Sequence, residues 1–241
     1  MTQFDDAPRD VSPLQAALAE LGGLSFADHS LDSVLLQVTD LAAHLARAEL
    51  ATSVTLLSDG RPSTVAATDE LAVDLDLVQY RLSTGPCLQA AATGELVEVA
   101  DLPTERRWAG FPERAAARGC RGMVSAPFPP AEVAGGINLY VRSAEAWDDE
   151  ARRQTARFLA RAAVPVVNRY LYARALTRAE HLQTAMASRA AIEQAKGILM
   201  ERLKLSSDGA FEALVRASMA RNTKLRDVAD DVVTTGEFPL G

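Results

Sequence analysis

Lysine is scarce in this chain. Of its 25 basic residues only Lys196, Lys204 and Lys224 are lysines, and all three fall near the C-terminal end. There is no excess of positive charge either: 25 Lys and Arg stand against 32 Asp and Glu, a formal net charge of -7. That is the wrong sign for a chain that binds nucleic acid over its whole surface, so any such contact is local. Cysteine is limited to Cys87 and Cys120, in unrelated contexts without CxxC spacing, which argues against a thiol metal site or a disulfide framework. His29, His44 and His181 are too scattered for a ligand set or a catalytic dyad. No HExxH, GxSxG or phosphate-cradling glycine loop occurs. No residue is therefore assigned to catalysis or to a metal, and the chain is expected not to be an enzyme. No run approaches 18 apolar residues, and the start, MTQFDDAPRD, lacks the basic and apolar stretches of a secretory signal. The expectation is a cytoplasmic protein with reduced thiols and no membrane partner.

What is present is ordinary globular material. Hydrophobic residues make up 48% and charged residues 24% of 241, enough for one medium domain and one small one. Ser12-Pro13 reads as a helix start, with Leu14, Ala17, Leu18 and Leu21 at helical spacing until Gly22-Gly23. From Ser30 a second stripe runs through Leu31, Val34, Leu35, Val38, Leu41, Ala42 and Leu45. The period then changes. Residues 53–68 read as two strands joined by a turn at Ser58–Pro62, and further strands are predicted at Glu95–Leu102, Gly122–Pro129 and Gly135–Arg142. Helical pieces fall around Leu71–Tyr80 and Pro112–Arg118. Strands in a run with helices inserted give an α+β class, with an antiparallel sheet covered on at least one face.

This order of elements, with TGPCLQAAATGELVEVADL, RRWAGFPERAAARGCRGMVSAPF and INLYVRSAEAWDDE, resembles a GAF domain of the type found in actinobacterial regulators, over roughly Ser30 to Tyr172. The resemblance implies a sheet with a small-molecule pocket on one face. It names no ligand, and the cofactor is unknown. Tyr80, Cys87, Trp108 and Phe111 are the candidate pocket residues; the alternative for the aromatics is core filling. Cys87 follows Gly85-Pro86, where a helix start would lower a thiol pKa and favour redox sensing. Its other reading is a small buried side chain. Asp148-Asp149-Glu150 reads as a helix start whose acids complement the macrodipole.

From Trp147 to about Met200 the pattern stays helical, broken only by Pro165, which predicts two segments. Tyr172, Leu176, Ala179, Gln183, Met186 and Ala190 alternate spacings of four and three, a coiled-coil seam consistent with a parallel homodimer or, alternatively, a helix packed on the sensor. Three short helices follow. Ile192, Ala195, Leu199 and Leu203 form the buried stripe of the first. Ala210, Phe211, Leu214, Val215 and Ser218 serve the second, and Leu225, Val228, Ala229 and Val232 the third, with Thr223 as its N-cap. Gly197 in mid-helix costs roughly 1 kcal/mol relative to alanine and predicts a close approach there, by a neighbouring helix or a ligand. Lys224 and Arg226 stand at the start of the third helix, against its dipole and suited to phosphate.

AIEQAKGILM, DGAFEALVRAS and NTKLRDVA, in that order, resemble an ANTAR domain. The resemblance implies a signal-responsive antiterminator whose dimer binds paired stem-loops in nascent RNA. Lys196, Asn222, Thr223, Lys224 and Arg226 are its candidate RNA contacts, with Arg189, Arg216 and Arg221 as further ones. The expected layout is an N-terminal extension with a short helix (1–29), a GAF-like sensor (30–172), a helical arm (173–187) and an ANTAR domain (188–241). The alternatives are a DNA-binding regulator using the last two helices and a redox sensor acting through Cys87.

Overall fold

The computed structural model of the chain describes residues 12–23, 29–129, 133–142 and 147–238, in two compact units, Met1–Leu171 and Tyr172–Gly241. In the first, Ser12 and Gln15 exchange side-chain and backbone hydrogen bonds at the start of α1 (Pro13–Gly22), a reciprocal cap. Ser30 caps α2 (Leu31–Ala46) through the Ser33 amide. The α2 stripe expected from the spacing is buried, apart from Leu31 at its start, which is only partly covered. Strands β1 (Leu50–Ser58) and β2 (Arg61–Ala67) form a hairpin closed by Asp59 and Gly60, both at positive φ, as a two-residue turn between twisted strands requires. Then follow α3 (Glu70–Leu82), α4 (Pro86–Thr93), β3 (Val97–Val99), α5 (Phe111–Ala116), β4 (Gly122–Pro127) and β5 (Ala134–Val141). The sheet order is β2-β1-β5-β4-β3, antiparallel throughout. The strand expected over Glu95–Leu102 shrinks to three residues at the sheet edge, because Leu102 leaves the ladder to start a 3-10 turn.

Both sheet faces are covered. On one, Val54, Leu56, Val124, Ala126, Ile137, Leu139 and Val141 share a core with α1, α2 and the Ala151–Val167 part of α6 (Asp149–Leu203). On the other, Ala51, Val99, Met123 and Tyr140 share a core with α3, α4 and α5. Helix α6 begins as its acidic run implies: Asp148 accepts from the Ala151 amide at 2.8 Å and pairs with Arg47 at 2.6 Å. Pro165 does not split it. The helix is continuous with the proline inside. The carbonyl left without its donor is that of Arg161, an exposed residue, where water can take the bond.

In the second unit, α6 from Ala191 onward packs with α7 (Ser207–Arg221) and α8 (Leu225–Thr235). The core is Ala195, Leu199, Ala210, Ala213, Leu214, Ala217, Val228, Ala229 and Val232. Ser206 caps α7 through the Gly209 amide at 3.1 Å. Phe211 is not in this core; it is 41% exposed. Positions 210, 213, 214 and 217 share one face, and Phe211 stands about 100 degrees round from Ala210.

Candidate functional site

The corner between α7 and α8 collects five of the expected contact residues, Arg221, Asn222, Thr223, Lys224 and Arg226. Asn222 ends α7 at φ 50, a left-handed conformation that asparagine tolerates better than most residues. The Ser218 hydroxyl donates to the Thr223 carbonyl at 2.6 Å, locking the turn. The N-cap of α8 is Lys224, not Thr223, and no side chain caps it. Thr223 instead donates its hydroxyl back to the Arg221 carbonyl at 3.2 Å. The first amides of α8 thus lack a side-chain acceptor, with Lys224 beside them, Arg226 in the first turn, and Asn222 and Lys224 exposed. A positive helix end flanked by cations favours an anion, with Asp227 in the same first turn offsetting part of that charge.

The other cations are partly engaged. Arg226 pairs with Asp227 at 3.1 Å, Arg221 with Asp231 at 3.4 Å, Arg216 with Glu212 at 3.6 Å and Lys196 with Glu193 at 3.0 Å. Lys224 and Arg189 have no carboxylate partner among the described residues. The three arginine pairs are exposed and worth about 0–1 kcal/mol each, so a phosphate can displace them, whereas the Lys196 side chain is largely covered, at 15% exposed. Arg189 and Lys196 on α6, and Arg216 midway along α7, have no hydrogen bond or ion pair to the corner among the described residues. Among the described residues Gly197 has no neighbouring helix of its own chain against it, which leaves the ligand alternative. An added Cβ would meet nothing within 4 Å, so no helix of the chain itself requires the glycine.

A second candidate site lies inside the first unit, on the sheet face under α3 and α4. Ser53, Asn138 and Ser125 stand opposite one another on β1, β5 and β4, and Thr55 faces Thr64 across a bulge. Above them Asp76 is fully buried. Its carboxyl accepts from the Tyr140 hydroxyl at 2.5 Å, the Thr64 hydroxyl at 2.7 Å and the Asn138 amide at 3.2 Å. No cation faces it among the described residues. Burial therefore raises its pKa, against the opposing pull of those hydrogen bonds. The Tyr80 hydroxyl bonds Thr55 at 2.8 Å and Thr64 at 3.1 Å. Gln79 donates to the Tyr140 hydroxyl at 2.9 Å and accepts from the Cys87 amide at 2.8 Å. Gly85 is at φ 149, and a Cβ there would sit 2.4 Å from Gln79 Oε1, so the α3–α4 corner needs glycine.

Of the expected pocket residues, Tyr80 joins this network and Cys87 touches it through its backbone amide. Trp108 and Phe111 lie in the apolar core beside it, with the Trp108 indole N–H donating to Gln89 at 3.1 Å. Cys87 does open α4, yet burial, and after it the charge of Asp76, pushes its thiol pKa well up. That is the reverse of the lowered pKa a redox thiol requires. Burial likewise pushes Cys120 up to about 12. Asp76, Asn138, Gln79 and Tyr140 are the site residues that sequence reasoning missed. The available signal was Ser, Thr and Asn at alternate positions of strands buried on both faces, where apolar side chains are the rule. An open groove of about 620 Å³ between α1 and α2 shares no residue with the network around Asp76. No group of three metal-ligating side chains occurs, and no helix is long and apolar enough to cross a membrane, among the described residues.

Comparison with known proteins bears on both units. Residues 28–167 match the family model of the GAF domain and residues 180–233 that of the ANTAR domain. No curated protein matches the chain. Solved structures similar to it include the GAF domain of a phosphoenolpyruvate-protein phosphotransferase from Coxiella burnetii, 17% identical with a TM-score of 0.48 over 69% of this chain and 95% of that one. Another is the corresponding Acinetobacter GAF domain, 15% identical with a TM-score of 0.45 over 68% and 96%. A third is a free methionine-R-sulfoxide reductase from Neisseria meningitidis, 16% identical with a TM-score of 0.47 over 73% and 98%. With 140 of 241 residues under the first model, the chain belongs to the GAF domain family, and it carries a C-terminal ANTAR domain, which implies RNA-binding antitermination regulation.

Proposed function

We propose that the chain is a signal-responsive transcription antiterminator of the actinobacterial type, acting in the cytoplasm as a homodimer that binds paired stem-loops of a nascent transcript. The observation that carries this reading is the α7–α8 corner, where the uncapped start of α8 holds Lys224 and Arg226 beside the exposed amide of Asn222. Sequence-specific RNA recognition uses unpaired loop bases and the phosphates around them. A helix end with two cations and an amide suits a loop. A duplex groove suits it less, since Asp230 and Asp231 are exposed along α8.

The sensor reads a small molecule, and the buried network around Asp76 and Tyr80 is where its polar groups would be recognised. The arm from residue 173 to 187 joins this sensor, over 30–172, to the RNA-binding domain, over 188–241. From Arg174 to Ala187 every residue is exposed, Leu176, Leu182 and Met186 included. An isolated helix this solvated is marginal in water, which supports pairing of two copies along the seam.

Lys224→Ala should weaken binding to a two-hairpin leader RNA about tenfold, the scale of one charge-assisted phosphate contact, with an unchanged circular dichroism spectrum. A gel shift with affinity equal to that of the unaltered chain would remove the corner from the interface.

A further inference from the structure

A surface cavity of about 320 Å³ between the end of α3 and α5 is lined by Val78, Arg81, Leu82, Arg114 and Arg118, and shares no residue with the network around Asp76. Val78, Arg81 and Leu82 are three and four apart on α3 and so share one face. Arg114 stands on α5, and Arg118 four residues on, in the turn just past its end. The floor is apolar: Val78 is buried, and Leu82 packs against the core beneath α3 and α5. Gly110, at φ 83, closes the arrangement. A Cβ there would lie 3.0 Å from Arg114 Nη1 and 3.8 Å from Leu82, so glycine leaves the Arg114 side chain room to fold back over the turn.

The rim carries charge of one sign only. In a chain with 32 acidic and 25 basic residues, three guanidinium groups surround one hollow, and Asp74 and Asp76 on α3 and Glu113 on α5 do not line it. None of the three arginines has an ion-pair partner among the described residues. Arg114 donates to the Gly110 carbonyl at 3.4 Å and Arg118 to the Arg114 carbonyl at 2.9 Å. Those bonds occupy one nitrogen of each, and a guanidinium has five N–H donors. Cations near helix C-terminal ends are favoured singly by the dipole. That accounts for each charge and not for an apolar hollow enclosed by three.

We infer that this cavity binds a small organic phosphate, with its phosphoryl oxygens held by Arg81, Arg114 and Arg118 and its carbon skeleton laid on Val78 and Leu82. Planar guanidinium forks match phosphate oxygens two at a time. A volume of about 320 Å³ is at the small end of ligand pockets, which suits a molecule of nucleotide size or less. The site goes beyond the antiterminator reading and does not depend on it. Helix α3 carries Asp76 and Gln79 on its buried face, so a phosphate bridging its end to α5 acts on the helix that covers the polar network.

Isothermal titration of the full-length chain with ADP, pyrophosphate and adenosine tests it. ADP should bind, pyrophosphate more weakly for want of a skeleton, and adenosine not measurably. Arg81→Gln combined with Arg118→Gln, both at exposed positions, should weaken ADP at least about tenfold, the scale of one charge-assisted phosphate contact, with an unchanged circular dichroism spectrum. Lys224→Ala should leave ADP binding as it is. No binding of either ADP or pyrophosphate would overturn the inference, as would a loss of ADP binding in Lys224→Ala that the double variant does not share, since the phosphate would then sit at the start of α8. A gel shift in which the double variant binds two-hairpin RNA tenfold more weakly would make these arginines an RNA surface and overturn the small-ligand assignment.

Discussion

Asp76 is the residue with the least conventional surroundings. Its carboxyl is fully buried with three hydrogen-bond donors and no cation among the described residues. Its folded pKa is raised above the ordinary value of 3.8, so the folded state holds a proton that the unfolded chain has released. Stability linked to this group is therefore lost as pH rises from about 3.8 through the folded pKa. Asp76→Asn, which cannot ionise, should gain on the unaltered chain over that window. The check is the difference in thermal midpoint between the two proteins from pH 4 to pH 8, expected to move in the variant's favour as pH rises. A difference independent of pH would mean that the carboxyl is ionised throughout. Cys87 illustrates the opposite lesson at the same scale: opening a helix does not activate a thiol that burial keeps protonated.

At the scale of elements, local chemistry decided where helices begin. Ser12, Ser30 and Ser206 cap α1, α2 and α7 at the positions their sequence context implies. Where the sequence was misleading, a competing interaction won. Thr223 bonds back to Arg221, leaving Lys224 as the cap of α8, and no local pattern distinguishes the two. Phe211 is apolar, yet alanines fill the face between α7 and its neighbours, and only the packed helices reveal that preference. The polar network under α3 is not legible locally, because Asp76 and Gln79 on α3 lie about 60 residues from Asn138 and Tyr140 on β5 and meet them only when the sheet is covered. Pro165 leaves α6 continuous and should carry an energetic signature instead. Pro165→Ala restores a backbone donor to Arg161, and an expected gain of about 1–3 kcal/mol would appear as a higher denaturant midpoint of the full-length protein. An unchanged midpoint would show that water already satisfies that carbonyl at little cost.

At the scale of the whole molecule, the chain joins a sensor fold to an RNA-binding domain through one helix, α6, which contributes residues to both units. The RNA-binding domain is close to neutral, with eight basic and eight acidic residues from Met186 onward, so few counterions are released and one domain alone is a weak ligand. The proposed homodimer would raise affinity by engaging two stem-loops at once. Competition binding of the full-length chain at fixed salt, with a labelled two-hairpin RNA challenged by single-hairpin RNA and by duplex DNA of equal length, tests this most directly. The two-hairpin RNA should hold at least about tenfold tighter than either competitor. Displacement by duplex DNA at equal or lower concentration would contradict the RNA reading, and equal affinity for one hairpin and two would contradict the paired mode of binding.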